Sequence, residues 1–322
     1  MDLSHPLFTL DPFAADARAE AQRLLEAGPV VPVDVVGVPV WAVTRHAVAQ
    51  QIVEDPSFSM NSGNRGALQR GEVPAGRPLM EIITTALFDT TEQPTQVTAT
   101  EEALHSFMAE PAASKAADPG DDLTSIPVEH HTSGSITHDE LVDTLMLMLT
   151  AGHQTTTNFF TDSLLALMTH PEQLGRVRAG EVSWQSLTES VPAWDSPVDQ
   201  GAFRYPAQDI EIGGVLIRAG EPVMTSYVSL GHDPAQHGPL AASFGVTRDT
   251  RHLSFGHGPH LCVGAPLARL EAHIALPAFF DRFDAELAVP RDEVEPVHSL
   301  ALNGVRAVPA IIRPRQEAVA GG

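Results

Sequence analysis

The residue best equipped for chemistry is Cys262, the single cysteine among 322 residues, set in Phe255-Gly256-His257-Gly258-Pro259-His260-Leu261-Cys262-Val263-Gly264. With no second cysteine it forms no internal disulfide, and as a thiolate it is a metal ligand. Apolar residues recur at Leu267, Leu270 and Ile274, a helical spacing that starts just after the thiol. Pro266 is tolerated in a first turn, where its missing N–H costs nothing. Cys262 is therefore expected at a helix N-terminus, where free N–H groups and the macrodipole favour negative sulfur. Gly256, Gly258 and Gly264 let the main chain approach a planar ligand without Cβ clashes. His260 is placed to donate to an anionic group on that ligand. Two other readings stay open: a buried structural cysteine, and a zinc site of His252, His257, His260 and Cys262.

A second chemical segment lies in a long helix. Thr137-His138-Asp139-Glu140 reads as a capping box, and helix is expected from there to Pro171, roughly 45–50 Å. Leu141, Val142, Leu145, Met146, Leu147, Met148 and Leu149 cover nearly all its faces, which predicts a buried helix. Its middle, Ala151-Gly152-His153-Gln154-Thr155-Thr156-Thr157, is poor helix chemistry. A threonine hydroxyl can bond back to an upstream carbonyl there. Such local conflict marks either a functional site or a packing notch for another helix.

The surrounding elements read as a mixed chain. Helices are expected over Ala14–Ala27 and Arg45–Glu54, and strands over Val30–Val35 and Val40–Val43, joined through Gly37. Ile210–Ile212 and Val215–Ile217 flank Gly213-Gly214, a hairpin signal. Ser57–Arg77 reads as loop, about 110–135 as a flexible connector, and 316–322 as a frayed tail. Forty-one acidic against nineteen basic residues give a net charge of −22, which disfavours nucleic acid and anionic membrane surfaces. The expectation is a soluble cytoplasmic protein, compatible with a monomer, without a secretory leader or membrane-spanning run.

The cysteine segment resembles the heme-binding signature of the cytochrome P-450 family: Phe, Gly, any residue, Gly, any, a basic residue, any, Cys, any, Gly. Every fixed position is filled, with His260 as the basic one. The resemblance implies that Cys262 is the proximal ligand of heme b iron, with Phe255 packed beside it. Ala151 to Thr156 resembles the family's distal helix motif, Ala-Gly-x-(Asp/Glu)-Thr-Thr. By position, Gly152 would open space for dioxygen and Thr155 would relay protons. Gln154 stands where the family usually has a carboxylate, and an amide does not shuttle protons as an acid does. Phe203-Arg204-Tyr205-Pro206 resembles the segment whose arginine pairs with a heme propionate, so Arg204 and His260 would hold the propionates. A surface arginine is the other reading of Arg204. Met146, Leu149, Thr150 and Phe159 would lie near the pocket or serve as core.

The implied fold is mainly α with a small β region, a single domain over 1–322. The implied reaction inserts one oxygen atom from O2 into a small organic substrate. Electrons would come from NAD(P)H through a separate ferredoxin or flavodoxin with its reductase, since no flavin or dinucleotide motif is seen. Two departures stand out. The family's buried Glu-x-x-Arg pair falls on Ser190 and Ala193, and the third partner of that network on Ser243. Glu189 and Arg248 lie close by, out of the motif's phase. The chain is also several helices short, with a junction expected near Met80–Glu81. A degraded P-450-like scaffold or activator of a partner enzyme is the alternative.

Overall fold

Valine-rich runs near the N-terminus build the main sheet, and glycine-assisted turns fix the register of its β2–β3 pair and of a separate two-stranded sheet. The computed structural model describes residues 3–12, 15–60, 94–246 and 251–315, with the side chains of 94–104 left aside. The expected junction near Met80–Glu81, the glycine-rich stretch beyond Met60, Arg248 and the tail from Gln316 lie outside those residues. The chain opens with β1 (Phe8–Thr9), α1 (Ala17–Ala27), β2 (Val30–Val35), β3 (Val38–Val43), α2 (His46–Glu54) and β4 (Phe58–Ser59). Helices α3 (Pro94–Ala117), α4 (Ser125–Thr132), α5 (His138–Thr169), α6 (Pro171–Arg178) and α7 (Trp184–Trp194) follow. Then come β5 (Tyr205–Pro206), β6 (Ile210–Ile212), β7 (Val215–Ile217), β8 (Val223–Thr225), α8 (Tyr227–Gly231) and α9 (Pro234–His237). Helix α10 (Ala265–Arg282), β9 (Phe283–Leu287) and β10 (Ala310–Pro314) close the described chain. The class is mainly α with a small β region, as the sequence predicts. No helix among the described residues is long and apolar enough to cross a membrane.

Two compact units result: 1–90 with 158–322, and 91–157. In the first, the sheet order is β1-β2-β3-β8, with β2 and β3 antiparallel across Val36-Gly37. Both turn residues have positive φ, 52° and 84°, the twist that a tight hairpin needs. Gly213 and Gly214, at 59° and 77°, do the same between β6 and β7. One face of the sheet packs Leu10, Leu24, Val31, Val33 and Met224, while Val30, Trp41, Ile52 and Ile217 join a second cluster. Each such fully buried aliphatic side chain contributes about 1.5–3 kcal/mol of transfer free energy, against the entropy of ordering it.

A third cluster sets Phe159, Leu167, Leu187, Trp194 and Phe244 against Leu276 and Phe280 of α10. At its edge Asp195, the C-cap of α7, is buried. It accepts from Arg18 of α1 and from Asn303 Nδ2 at 2.7 Å, and the Arg18 guanidinium lies 4.1 Å from the Trp194 ring.

In the second unit the capping box forms as predicted. Thr137 N–H donates to Glu140 at 2.7 Å and Glu140 N–H donates to the Thr137 hydroxyl at 3.2 Å. Helix α5 runs 32 residues, about 48 Å. Its burial departs from expectation: Leu141, Val142 and Leu145 pack with Met108, Ala112 and Val128, but Leu147, Met148 and Leu149 are exposed. Apolar residues all round a helix bury only where neighbours stand on all sides, and here they stand beside its first turns. The stretch about 110–135, expected as a connector, is largely helical, in α3 and α4. Alanine-rich sequence from Ala109 to Ala117 carries α3 through Pro111, and Ala112 and Val128 turn inward.

Asp199 gives a test of the core electrostatics. It is buried, and burial, reinforced by the nearby Glu20 and Asp195 charges, pushes its carboxyl well above the usual range. A raised folded-state value means the folded chain holds a proton that the unfolded chain has released, so stability falls as pH rises from about 4. Asp199→Asn, which mimics the protonated acid, is expected to raise the denaturant midpoint at pH 8 and leave it nearly unchanged at pH 4. Equal shifts at both pH values would contradict this.

Candidate heme-thiolate site

The cysteine loop owes its shape to its glycines. Gly256 has φ +72°, and a Cβ there would stand 2.8 Å from the His260 carbonyl oxygen, so only glycine fits. The Gly256 N–H donates to Leu253 O at 2.7 Å, and the Cys262 N–H donates to Phe255 O at the same distance. Gly258, at φ +65°, lies against Val53 O of α2, and His257 pairs with Glu54 at 3.1 Å. Gly264 is the N-cap of α10, and a Cβ there would stand 3.8 Å from the Cys262 sulfur, an ordinary contact. Cys262 thus sits just ahead of a helix N-terminus, as predicted, and it is exposed. That removes the reading of a buried structural cysteine.

The apolar face of α10 is also not where periodicity alone puts it. Ala272, Leu276 and Phe280 are buried, whereas Leu261, Val263, Leu267, Leu270 and Ile274 are exposed, between 49% and 96%. The thiol therefore stands on an open apolar surface. The zinc reading fails on geometry: His252 is engaged by Glu189 and His257 by Glu54, and no group of three candidate ligands converges among the described residues.

Arg204 lies in the same unit, on the strand bridge to Val223 of β8. It is buried, at 8% exposure, which excludes the surface-arginine reading. It makes no ion pair among the described residues, and burial lowers its pKa, partly opposed by the Tyr227 hydroxyl beside it. A buried guanidinium without a carboxylate is costly unless an anion completes it. His260 is exposed, on the one-turn segment 258–260 just before the thiol. An exposed thiol, an open apolar surround and a buried cation without an ion pair among the described residues together suit a flat, apolar, metal-bearing dianion, which is the chemistry of heme.

In the other unit, Thr150, Thr155 and Thr157 donate their hydroxyls to the carbonyls of Met146, Ala151 and His153, at 2.9, 2.6 and 2.9 Å. The helix stays unbroken through them. Among the described residues, no atom outside this helix lies within 4 Å of where a Gly152 side chain would begin, so none of them fills a notch there. Phe159 is core, packed in the cluster of Leu167 and Trp194.

A pairing that the sequence did not reveal, through Arg269, which it did not single out, connects α7 to the loop. Glu189 accepts from Arg269 Nε at 2.6 Å and Nη2 at 3.0 Å, and its second oxygen lies 3.2 Å from His252 Nε2. Burial opposes ionisation of Glu189, but these partners override it and hold its pKa at about 2. The Arg269 guanidinium lies 4.4 Å from the Phe255 ring centroid. Ser190 and Ala193, where charges were expected by family resemblance, are buried without strain. Ser190 Oγ donates to Ser186 O, and Ala193 packs against Gly231, where a side chain would stand 2.7 Å from the Ala193 carbonyl.

A Cytochrome P-450 family model matches residues 195–306, which hold Arg204 and the whole cysteine loop. The 2-hydroxy-5-methyl-1-naphthoate 7-hydroxylase of Streptomyces carzinostaticus is 32% identical over 406 aligned positions, covering 97% of this chain and 99% of that protein. This chain belongs to the cytochrome P-450 family. It is an oxidoreductase of the heme-iron monooxygenase kind. The fold agrees: CYP154C4 from Streptomyces sp. W2061 superposes with a TM-score of 0.84 at 30% identity, covering 94% of this chain and 97% of that one. CYP154A1 from Streptomyces coelicolor A3(2) gives 0.82 at 29% identity, covering 95% and 100%. The 6-deoxyerythronolide B hydroxylase of Saccharopolyspora erythraea is 38% identical over 196 residues, 60% of this chain. Against several such relatives the match spans about half their length. The 406 positions aligned with the naphthoate hydroxylase exceed the 322 residues here by 84, so at least that many of its positions have no counterpart in this P-450.

The unpaired Arg204 yields a two-sided prediction. In Arg204→Met the heme-free P-450 should be as stable as the parent or more so, because a buried unpartnered charge is gone. Heme affinity should fall by roughly tenfold or more, the scale of one lost charge-assisted pair. Denaturant melts and heme titration measure the two effects, and a loss of heme-free stability with unchanged affinity would exclude the role.

Proposed function

We propose that this chain is a heme-thiolate monooxygenase that inserts one oxygen atom from O2 into a small organic substrate. The observation that carries this reading is the exposed Cys262 in a glycine-shaped loop that shares a unit with a buried Arg204, which makes no ion pair among the described residues. Heme iron, when bound, supplies the binding and reduction of dioxygen. Cys262 Sγ would ligate that iron, Arg204 and His260 would hold the two propionates, and Phe255 with Gly256, Gly258 and Gly264 would let the loop lie close beneath the ring. Thr155 Oγ1, with its own hydrogen on Ala151 O, keeps lone pairs that accept a hydrogen bond from water; to relay a proton it would turn that hydrogen from Ala151 O to the acceptor as water supplies a new one. Gln154 orients by hydrogen bonding rather than by giving up a proton, so delivery runs through water. Gly152 leaves room beside that hydroxyl.

Residues 1–322 are read as one P-450-type domain, with a shortened N-terminal half. Electrons come from NAD(P)H through a ferredoxin or flavodoxin and its reductase, in the cytoplasm. One finding favours a second reading, a scaffold or activator for another enzyme: the many positions of the naphthoate hydroxylase without a counterpart here.

Reconstitution with heme, reduction and addition of carbon monoxide separates the two. The monooxygenase reading expects a red-shifted thiolate-type Soret band that disappears in Cys262→Ala. No such band, with a cooperative melt of the heme-free chain, supports the scaffold. A band surviving in Cys262→Ala places the ligand elsewhere.

A further inference from the structure

We propose that Glu189, Arg269 and His252 form one anchor that positions the Cys262 loop on α7, with Glu189 as its hub. The geometry is specific. Arg269 reaches Glu189 through two donors, at 2.6 and 3.0 Å, the forked approach that fixes a guanidinium plane. That plane covers the Phe255 ring at 4.4 Å. His252 meets Glu189 on one side, its ring lies 5.7 Å from that of Phe255, and its Nδ1 takes the Ser254 N–H at 3.2 Å. Ser254 Oγ then donates to Pro192 O at 2.6 Å, a second tie to α7. Phe255, held on both flanks, offers the carbonyl that accepts the Cys262 N–H at 2.7 Å. The load runs from Glu189 through Arg269 and His252 to Phe255, and from there to the backbone of the cysteine.

The arrangement also stands where support is otherwise thin. Ser190 and Ala193, on the same helix, carry no charge toward the loop, and Ser190 spends its hydroxyl on its own helix. None of the three anchor residues touches the thiol as a hydrogen-bond partner, so they are positioning residues. The inference concerns the loop in the chain itself; its value for the proposed function rests on Cys262 being the heme ligand.

The test uses the full chain without heme, followed by hydrogen exchange of individual amides. Glu189→Gln keeps the size of the side chain and removes its charge. Exchange at the Cys262 amide should speed by roughly tenfold, while the β2 and β3 amides keep their rates. Arg269→Gln should do the same. The double variant should be no faster than either single, because members of one network do not add. Arg269→Lys, which keeps the charge and loses the fork, should fall between, and it serves if a Gln variant folds poorly. An unchanged Cys262 amide in both single variants overturns the anchor. So does equal acceleration in β2 and β3, which would mark general destabilisation, and so does a double variant equal to the product of the singles. Heme-loaded samples give a separate reading: Glu189→Gln should convert part of the thiolate-type Soret band to a non-thiolate one. If the parent chain shows no such band, the monooxygenase reading fails, while the exchange result still decides the anchor.

Discussion

The large unit turns on a carboxylate placed where water is nearly excluded. Asp195 ends α7, and its charge is met by Arg18 from α1 and by Asn303 from the chain near the C-terminus. Burial alone would raise its pKa, yet Arg18 and Asn303 hold it below the usual range. Asp162, buried beside it with one oxygen unpartnered, is pushed the other way, by burial and by the Asp195 charge. The two neighbours are thus pushed in opposite directions, Asp195 toward the ionised form and Asp162 toward the protonated one. The arrangement spreads outward. The Asn303 carbonyl accepts from Asn158 at 2.8 Å, and Gly304, at φ +157°, lies so close that a Cβ would stand 2.6 Å from the Asn158 side chain. Breaking this node would strand a buried charge, at a cost of about 3–5 kcal/mol. It holds the end of α7 in place, and Glu189 sits less than two turns back along that helix.

How α7 can do without a buried arginine follows from its packing. Ser190 and Ala193 are both uncharged, so no buried charge is stranded at either position. Ala193 then let α8 approach until Gly231 touches the α7 carbonyls. Phe244 fills the remaining space against Trp194 and His170, with ring centroids at 5.1 and 5.3 Å. The large unit is therefore coherent in itself, although the chain lacks many positions present in the naphthoate hydroxylase.

The parts legible in the sequence were those whose signal is local. The capping box at Thr137 and the hairpin at Gly213-Gly214 each depend on a few adjacent residues, and each takes its expected form, whereas Gly256 meets a need that was not foreseen, a tight turn against the His260 carbonyl. The pairing of Glu189 with Arg269 and His252 spans 80 and 63 residues, and no periodicity reports it. Exposure escaped for another reason. Spacing identifies which residues of α10 share a face, but not whether anything covers it, and the Leu267, Leu270 and Ile274 face is open. In α3, the helix propensity of alanine outweighed Pro111, which composition alone reads as a break.

That open face has a colloidal consequence. Leu261, Val263, Leu267, Leu270 and Ile274 make a sticky stripe on a molecule that carries a net charge of −22. At neutral pH, like-charge repulsion between copies keeps such stripes apart, and salt weakens that repulsion by screening. As carboxylates protonate in acid, the repulsion fades while the apolar area stays the same. In the heme-free chain the acidic surface thus opposes association of two copies through the surround of the thiol.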